Sequence, residues 1–214
     1  MRRSCFGIWT VLILSGLAWV TPEVFGQGSP SGAVGSWATY RFTPSLPDRQ
    51  QFIVRETMTD GTTRIRSEEG PPEKRPTFAI TYAIVGETAE GLVLQVTTHQ
   101  TPEGLPLSTT QILISKKDGK AIRSQILGSK GLVPTPENEL RPQRENRISG
   151  PREEISVPGG RYQAVRGKAG TAEVWVSDRV PVMGMVKAVL PNGTLELLKA
   201  SPTGAKDLLK GRRT

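Results

Sequence analysis

Beyond position 36 the chain alternates apolar and polar residues in one short run after another. A period of two marks a strand with one buried face. Residues 37–42 and 51–58 carry it, separated by the turn-rich Thr43-Pro44-Ser45-Leu46-Pro47-Asp48. Across 77–85, Phe78, Ile80, Tyr82 and Ile84 share one face, and Thr77, Ala79, Thr81 and Ala83 share the other. Leu92, Leu94 and Val96 repeat the pattern after a short loop, which predicts a hairpin. Residues 110–116 and 121–127 flank Lys117-Asp118-Gly119, and 182–190 and 194–200 flank Pro191-Asn192-Gly193. Asp-Gly and Asn-Gly supply the positive φ that a tight reversal requires, so both pairs are predicted hairpins. Residues 152–156, 162–166 and 171–177 add further strands, set off by Pro158-Gly159-Gly160 and by Gly167 to Gly170. The expectation is a mainly β protein with little helix, built as a single curled antiparallel sheet of about ten to eleven strands. Such a sheet must curl or close to protect its apolar face, so a half-barrel or open barrel is expected.

Two segments break the alternation. Residues 66–76 (RSEEGPPEKRP) and 128–151 are charged and proline-broken and read as polar loops, the second with a short helix over 137–147. Residues 27–36 are rich in Gly and Ser and read as a flexible lead-in. Residues 202–214 read as a basic tail, with one frayed helical turn within 205–214. Between lead-in and tail, 37–201 is expected to form one β-rich domain.

The first 26 residues have the layout of a secretory signal peptide: basic Met1-Arg2-Arg3, an apolar run over 8–20, then Val24-Phe25-Gly26 before the cleavage point. A run that short does not comfortably span ~30 Å of hydrocarbon, so a retained membrane helix is not expected. The product would be periplasmic or secreted. Cleavage removes Cys5, the sole cysteine, and with it any disulfide, thiol nucleophile or thiolate metal site. Of the 28 basic and 20 acidic side chains, 26 and 19 remain, a net charge of +7. Stability then has to come from sheet pairing and burial, which about 188 residues can supply.

Composition leaves little room for catalysis. His99 is the sole histidine and continues the face of Val93, Gln95 and Thr97 near a strand end, where a solvated side chain is expected. A catalytic triad or a histidine metal site would have to use it. HExxH, a phosphate-cradling glycine loop and calcium-loop spacing are missing. Glu68-Glu69 and Glu153-Glu154 are adjacent, and adjacent strand residues point to opposite faces. No enzymatic activity, metal or cofactor is expected. The excess of positive charge clusters at Arg64/Arg66, Lys116/Lys117/Lys120/Arg123, Arg141/Arg144/Arg147 and Lys206/Lys210/Arg212/Arg213. In an exported protein, anionic lipid head groups or another anionic envelope component are the expected partners, not nucleic acid.

The richest stretch is VPGGRYQAV from Val157, followed by EVWVSDRVPVMGMVK from Glu173. Pro158 and Gly159 read as the turn into a strand. Trp175 alternates against Val174 and Val176, which predicts a central strand. Ser177, Asp178, Pro181 and Gly184 read as the turn behind it, with the two polar side chains bonding backbone N–H groups. Two readings of the apolar residues stay open. Trp175 anchors the core, or Trp175, Val180, Met183 and Met185 line the mouth of an apolar groove suited to a variable guest.

This stretch, with TLELLKA from Thr194, resembles a signature of uncharacterised exported bacterial β-rich proteins, of the form VPAG-x-(Phe/Tyr) followed by VWVSD-x-VP-x-GG-(Leu/Ile)-VK. Met183-Gly184 stands where that pattern has Gly-Gly, and Gly159 follows Pro158. Some members resemble the half-barrel lipoprotein-localisation carriers. The resemblance implies a half-barrel holding an apolar or lipidic ligand, or a lipidated partner, on its concave face. The competing expectation is an envelope interaction or scaffold module that uses its basic loops and has no ligand groove.

Overall fold

The computed structural model describes residues 32–45, 51–57, 63–69, 77–117, 119, 121–128, 131–134 and 148–210. The expected leader at 1–26, the 137–147 helix, and the Arg141/Arg144/Arg147 and Arg212/Arg213 charges lie outside the described residues. In chain order the strands are β1 (Trp37–Pro44), β2 (Gln51–Thr57), β3 (Thr63–Glu69), β4 (Phe78–Glu87), β5 (Gly91–His99), β6 (Pro106–Ser115), β7 (Ala121–Gly128), β8 (Gly131–Pro134), β9 (Arg152–Val157), β10 (Gly160–Ala169), β11 (Ala172–Val176), β12 (Met185–Leu190) and β13 (Gly193–Ser201). Among the described residues there is no helix, and so none long and apolar enough to cross a membrane.

Eleven strands form one sheet in the order β8-β7-β6-β5-β4-β1-β13-β12-β11-β10-β9, every neighbouring pair antiparallel. The end strands β8 and β9 do not pair with each other, so the sheet is curled but open. Hairpin connections build each half, β4 to β8 and β9 to β13. The non-local step is β1, which slots between β4 and β13 and joins the halves. Its sequence suits that place: Ala38, Tyr40 and Phe42 are buried on one face, and Thr39 on the other.

Register carries the alternation across the sheet. Tyr40 stands opposite Ile80 and Leu197, and Tyr82 opposite Val96, so apolar side chains stack in rows on one face. Tyr40 and Tyr82 meet edge to face, ring centroids 5.7 Å apart. The Tyr40 hydroxyl donates to the Met185 carbonyl at 2.9 Å, which lets the polar end of the ring be buried. Burial pushes both phenols above their ordinary pKa; neighbouring Tyr82 and Tyr162 raise Tyr40 further. The curl is pinned where the β9–β10 turn meets β13: Gly159 N–H donates to Leu197 C=O at 2.8 Å. A Cβ at Gly159 would stand 3.0 Å from that same oxygen, so the contact requires a small residue.

Several details depart from the sequence reading. Residues 66–69 belong to β3, not to a polar loop, and β2 pairs with β3 in a separate two-stranded sheet. Backbone pairing satisfies the N–H and C=O groups of a strand whatever its side-chain polarity, so charge did not exclude strand there. The 128–151 segment contributes β8, and β12 begins at Met185 rather than at 182. Two positive-φ residues, Val182 (72°) and Gly184 (64°), interrupt the strand before that point. Ser36 of the lead-in is 1% exposed, and Gly35 and Ser36 exchange backbone bonds with Ile84. Of the tail, residues 203–210 are described: they lie against the sheet as a strap, held by Gln95, and close with one turn in which Asp207 C=O accepts Lys210 N–H at 3.4 Å.

Candidate functional site

The sheet offers two faces of different chemistry. On the core face, the half made by β1, β4 and β10 to β13 is filled. Val180, Val182 and Met185 of the β11–β12 connection are each 1% exposed, packed with Tyr40, Leu195 and Leu197. Trp175 is 7% exposed and projects to the other side of β11 from Val174. There Arg166 and Lys187 lie over its ring at 5.3 and 5.8 Å, and its indole N–H donates to Glu153. Met183 is half-buried. Trp175, Val180 and Met185 lie in one buried core cluster with Met183 packed against it, so the three present almost no surface to a guest.

The turn residues are placed as a backbone-held loop. Ser177 N–H donates to Gly184 C=O at 2.7 Å, and Val180 N–H to Ser177 C=O at 3.2 Å. The Ser177 hydroxyl is buried and finds no partner among the described residues, so it does not bond the turn as its sequence suggested. Asp178 is exposed and Pro181 half-buried. Pro158 and Gly159 sit in the turn that docks on β13, where Gly159 C=O also accepts the Tyr162 hydroxyl at 3.1 Å.

The core face continues beyond the filled half onto β5, β6 and β7. There Leu92 and Ile112 are half-buried, and Ile122 and Ile126 are each 41% exposed. Ile126 stands across from Thr110, on the core side by alternation, and Ile122 lies at the irregularity where the pairing passes from Arg123 to Ala121. The β6–β7 turn beside them carries exposed Lys116 and Lys117, with Lys116 paired to Glu87. On this part of the core face, apolar side chains therefore stay partly in solvent.

The opposite face is polar yet buried. Gln95, Thr97 and Gln111 are each 2% exposed and Thr109 3%. Gln95, Gln111 and Gln125 stand in register on β5, β6 and β7, joined by amide contacts of 3.4 and 3.3 Å. The strap crosses this face. Between strap and sheet lies a cleft of about 160 Å³, lined by Trp37, Thr81, Thr97, His99, Lys206 and Leu208. His99 Nδ1 pairs with the Gly104 carbonyl at 2.8 Å, which ties it to the loop after β5. Sequence reading missed the glutamine row, although one glutamine on the polar parity of each of three successive strands was visible. Among the described residues no three His, Cys, Asp or Glu side chains are grouped so as to hold a metal ion. Comparisons with family models, curated proteins and solved structures return no match.

Proposed function

We propose that the protein is an exported, non-enzymatic binding module that holds an anionic lipid at the β5–β7 end of its open sheet. The observation that carries this reading is the uncovered core face: Ile122 and Ile126, each 41% exposed, flank half-buried Leu92 and Ile112. An acyl chain laid along this strip meets the same side chains that the opposing strands cover elsewhere. Exposed Lys117 in the β6–β7 turn, beside Lys116, which is paired to Glu87, supplies positive charge at the end of the strip for a phosphate-bearing head group. Covering the two isoleucines contributes on the order of 1–2 kcal/mol, so binding is reversible and depends on the charge as well. The exported character rests on the leader at 1–26, and the groove expected at Trp175, Val180, Met183 and Met185 moves to the opposite end of the sheet.

Flotation with phosphatidylglycerol and phosphatidylcholine vesicles tests the reading. The wild type should float with the anionic vesicles and lose them as salt rises. Ile122→Glu combined with Ile126→Glu should cost at least about tenfold in binding, a shift of about 1.4 kcal/mol. Both positions are already half in solvent, so the fold should persist, checked by circular dichroism. Unchanged flotation of the folded double variant would sink the proposal.

The interaction-module alternative places contact at Arg141, Arg144 and Arg147. Charge reversal there should abolish recovery of an envelope partner while leaving vesicle binding intact.

A further inference from the structure

After β13 the chain turns through Pro202, Thr203 and Gly204, the last at φ +91°, and runs back over the polar face of β5 and β6. Gln95 grips this strap with both ends of its amide. Nε2 donates to Lys206 C=O at 3.1 Å, and Oε1 accepts Leu208 N–H at 3.0 Å. A side-chain amide bonded to the carbonyl of one residue and the N–H two residues on reads backbone as a neighbouring strand would. Gln111 Nε2 donates to Asp207 Oδ1 at 2.9 Å, and Asp207 in turn accepts Leu209 N–H at 2.9 Å. Leu209 is fully buried, whereas Lys206, Leu208 and Lys210 are exposed. The strap is therefore a short peptide recognised through its backbone, one carboxylate and one apolar anchor, with its outer side in water.

We propose that the polar face of β4 to β6 is a peptide-docking site, filled in the single chain by its own strap, and that its partner in trans is the strap of a second copy. The strap of another molecule carries the same carbonyl, N–H, carboxylate and leucine in the same order. Exchange replaces every contact with its equal and leaves the connection at 201–204 to set the balance. That connection is held at the start of β1, in the middle of the sheet, by Trp37 Nε1–H donating to Thr203 C=O at 2.9 Å and by Ser36 Oγ–H donating to Pro202 C=O at 3.1 Å. Release can therefore begin beyond Thr203 without disturbing β13. The inference stands apart from the lipid reading, since it uses the other face of the sheet.

Complementation tests it on the full chain. Gln95→Leu keeps an intact strap but loses the receiving amide, and Leu209→Asp keeps the receiver but loses the anchor. Each alone should remain monomeric in native mass spectrometry. Mixed at equal high concentration, they should give a heterodimer in which the Gln95→Leu strap fills the Leu209→Asp face. A mixture that stays the sum of its parts overturns exchange. Should either variant fail to fold, a labelled peptide of residues 203–210 serves as the second measurement on the wild type and on Asp207→Ala. The peptide should bind Asp207→Ala, whose own strap is weakened, at least fivefold more tightly than the wild type. Equal binding, or none to either, overturns the docking site.

Discussion

Val182 is a β-branched residue at φ 72°, where only glycine is comfortable. Met183 N–H donates to Pro181 C=O at 2.9 Å around it, which makes a γ-turn of the strained hand. Its side chain is 1% exposed, so burial offsets the backbone cost. Removing the side chain separates the two effects. Val182→Ala should lose about 1.5–2.5 kcal/mol, while Val182→Gly should be more stable than the alanine variant by about 1 kcal/mol, measured by urea unfolding. The usual order of alanine above glycine should be reversed. Ser177 presents the converse case. Its buried hydroxyl has no partner among the described residues, and an unpaired buried hydroxyl costs about 1–3 kcal/mol. Ser177→Ala should therefore leave stability unchanged or raise it, and a clear loss would show that the hydroxyl is bonded.

At the scale of elements, the strands and the tight reversals could be read from alternation and from Asp-Gly and Asn-Gly. Phe78, Ile80, Tyr82 and Ile84 do share the core face, and β4–β5, β6–β7 and β12–β13 are hairpins. What alternation could not give is which face of a strand meets which partner. Val174 and Trp175 both looked internal. Both belong to the apolar core cluster, but Trp175 also lies beneath Arg166 and Lys187 from the two flanking strands, with Glu153 at its N–H. Trp175→Ala should cost about 3–5 kcal/mol. Trp175→Phe keeps the ring and loses the N–H, and should cost about 1–2 kcal/mol. The difference, read from the thermal midpoints, measures the polar handle against the packed ring. The strap was illegible for a similar reason. AKDLLK has no period of its own, and it is held in place by Gln95 and Gln111, about a hundred positions earlier.

For the whole molecule, two buried phenols couple folding to alkaline pH. Tyr40 and Tyr82 hold their protons to higher pH in the folded chain than in the unfolded one, where the ordinary value is about 10. Below pH ~10 both states keep the protons and this stability is complete. Above it the unfolded chain releases protons that the folded chain retains, so stability falls as pH rises toward the raised folded values. The urea midpoint should be flat up to about pH 10 and then drop. Tyr40→Phe should drop less steeply, after losing about 1–2 kcal/mol at neutral pH because Met185 C=O loses its donor. Equal slopes would mean that the Tyr40 phenol does not stay protonated in the folded state.

The amino-acid order alone determined that this chain makes a curled antiparallel sheet, because side-chain alternation and turn chemistry are local properties of a few adjacent residues. It also confined any histidine chemistry to His99, since one histidine is all that 214 residues provide. Tertiary structure decided which apolar side chains remain uncovered and which polar ones become buried. Ile126 and Ile80 follow the same alternation, yet Ile126 is 41% exposed and Ile80 is 3% exposed. That difference depends on which strands lie opposite, and the opposition is set when β1 joins two hairpin arrays far apart in sequence.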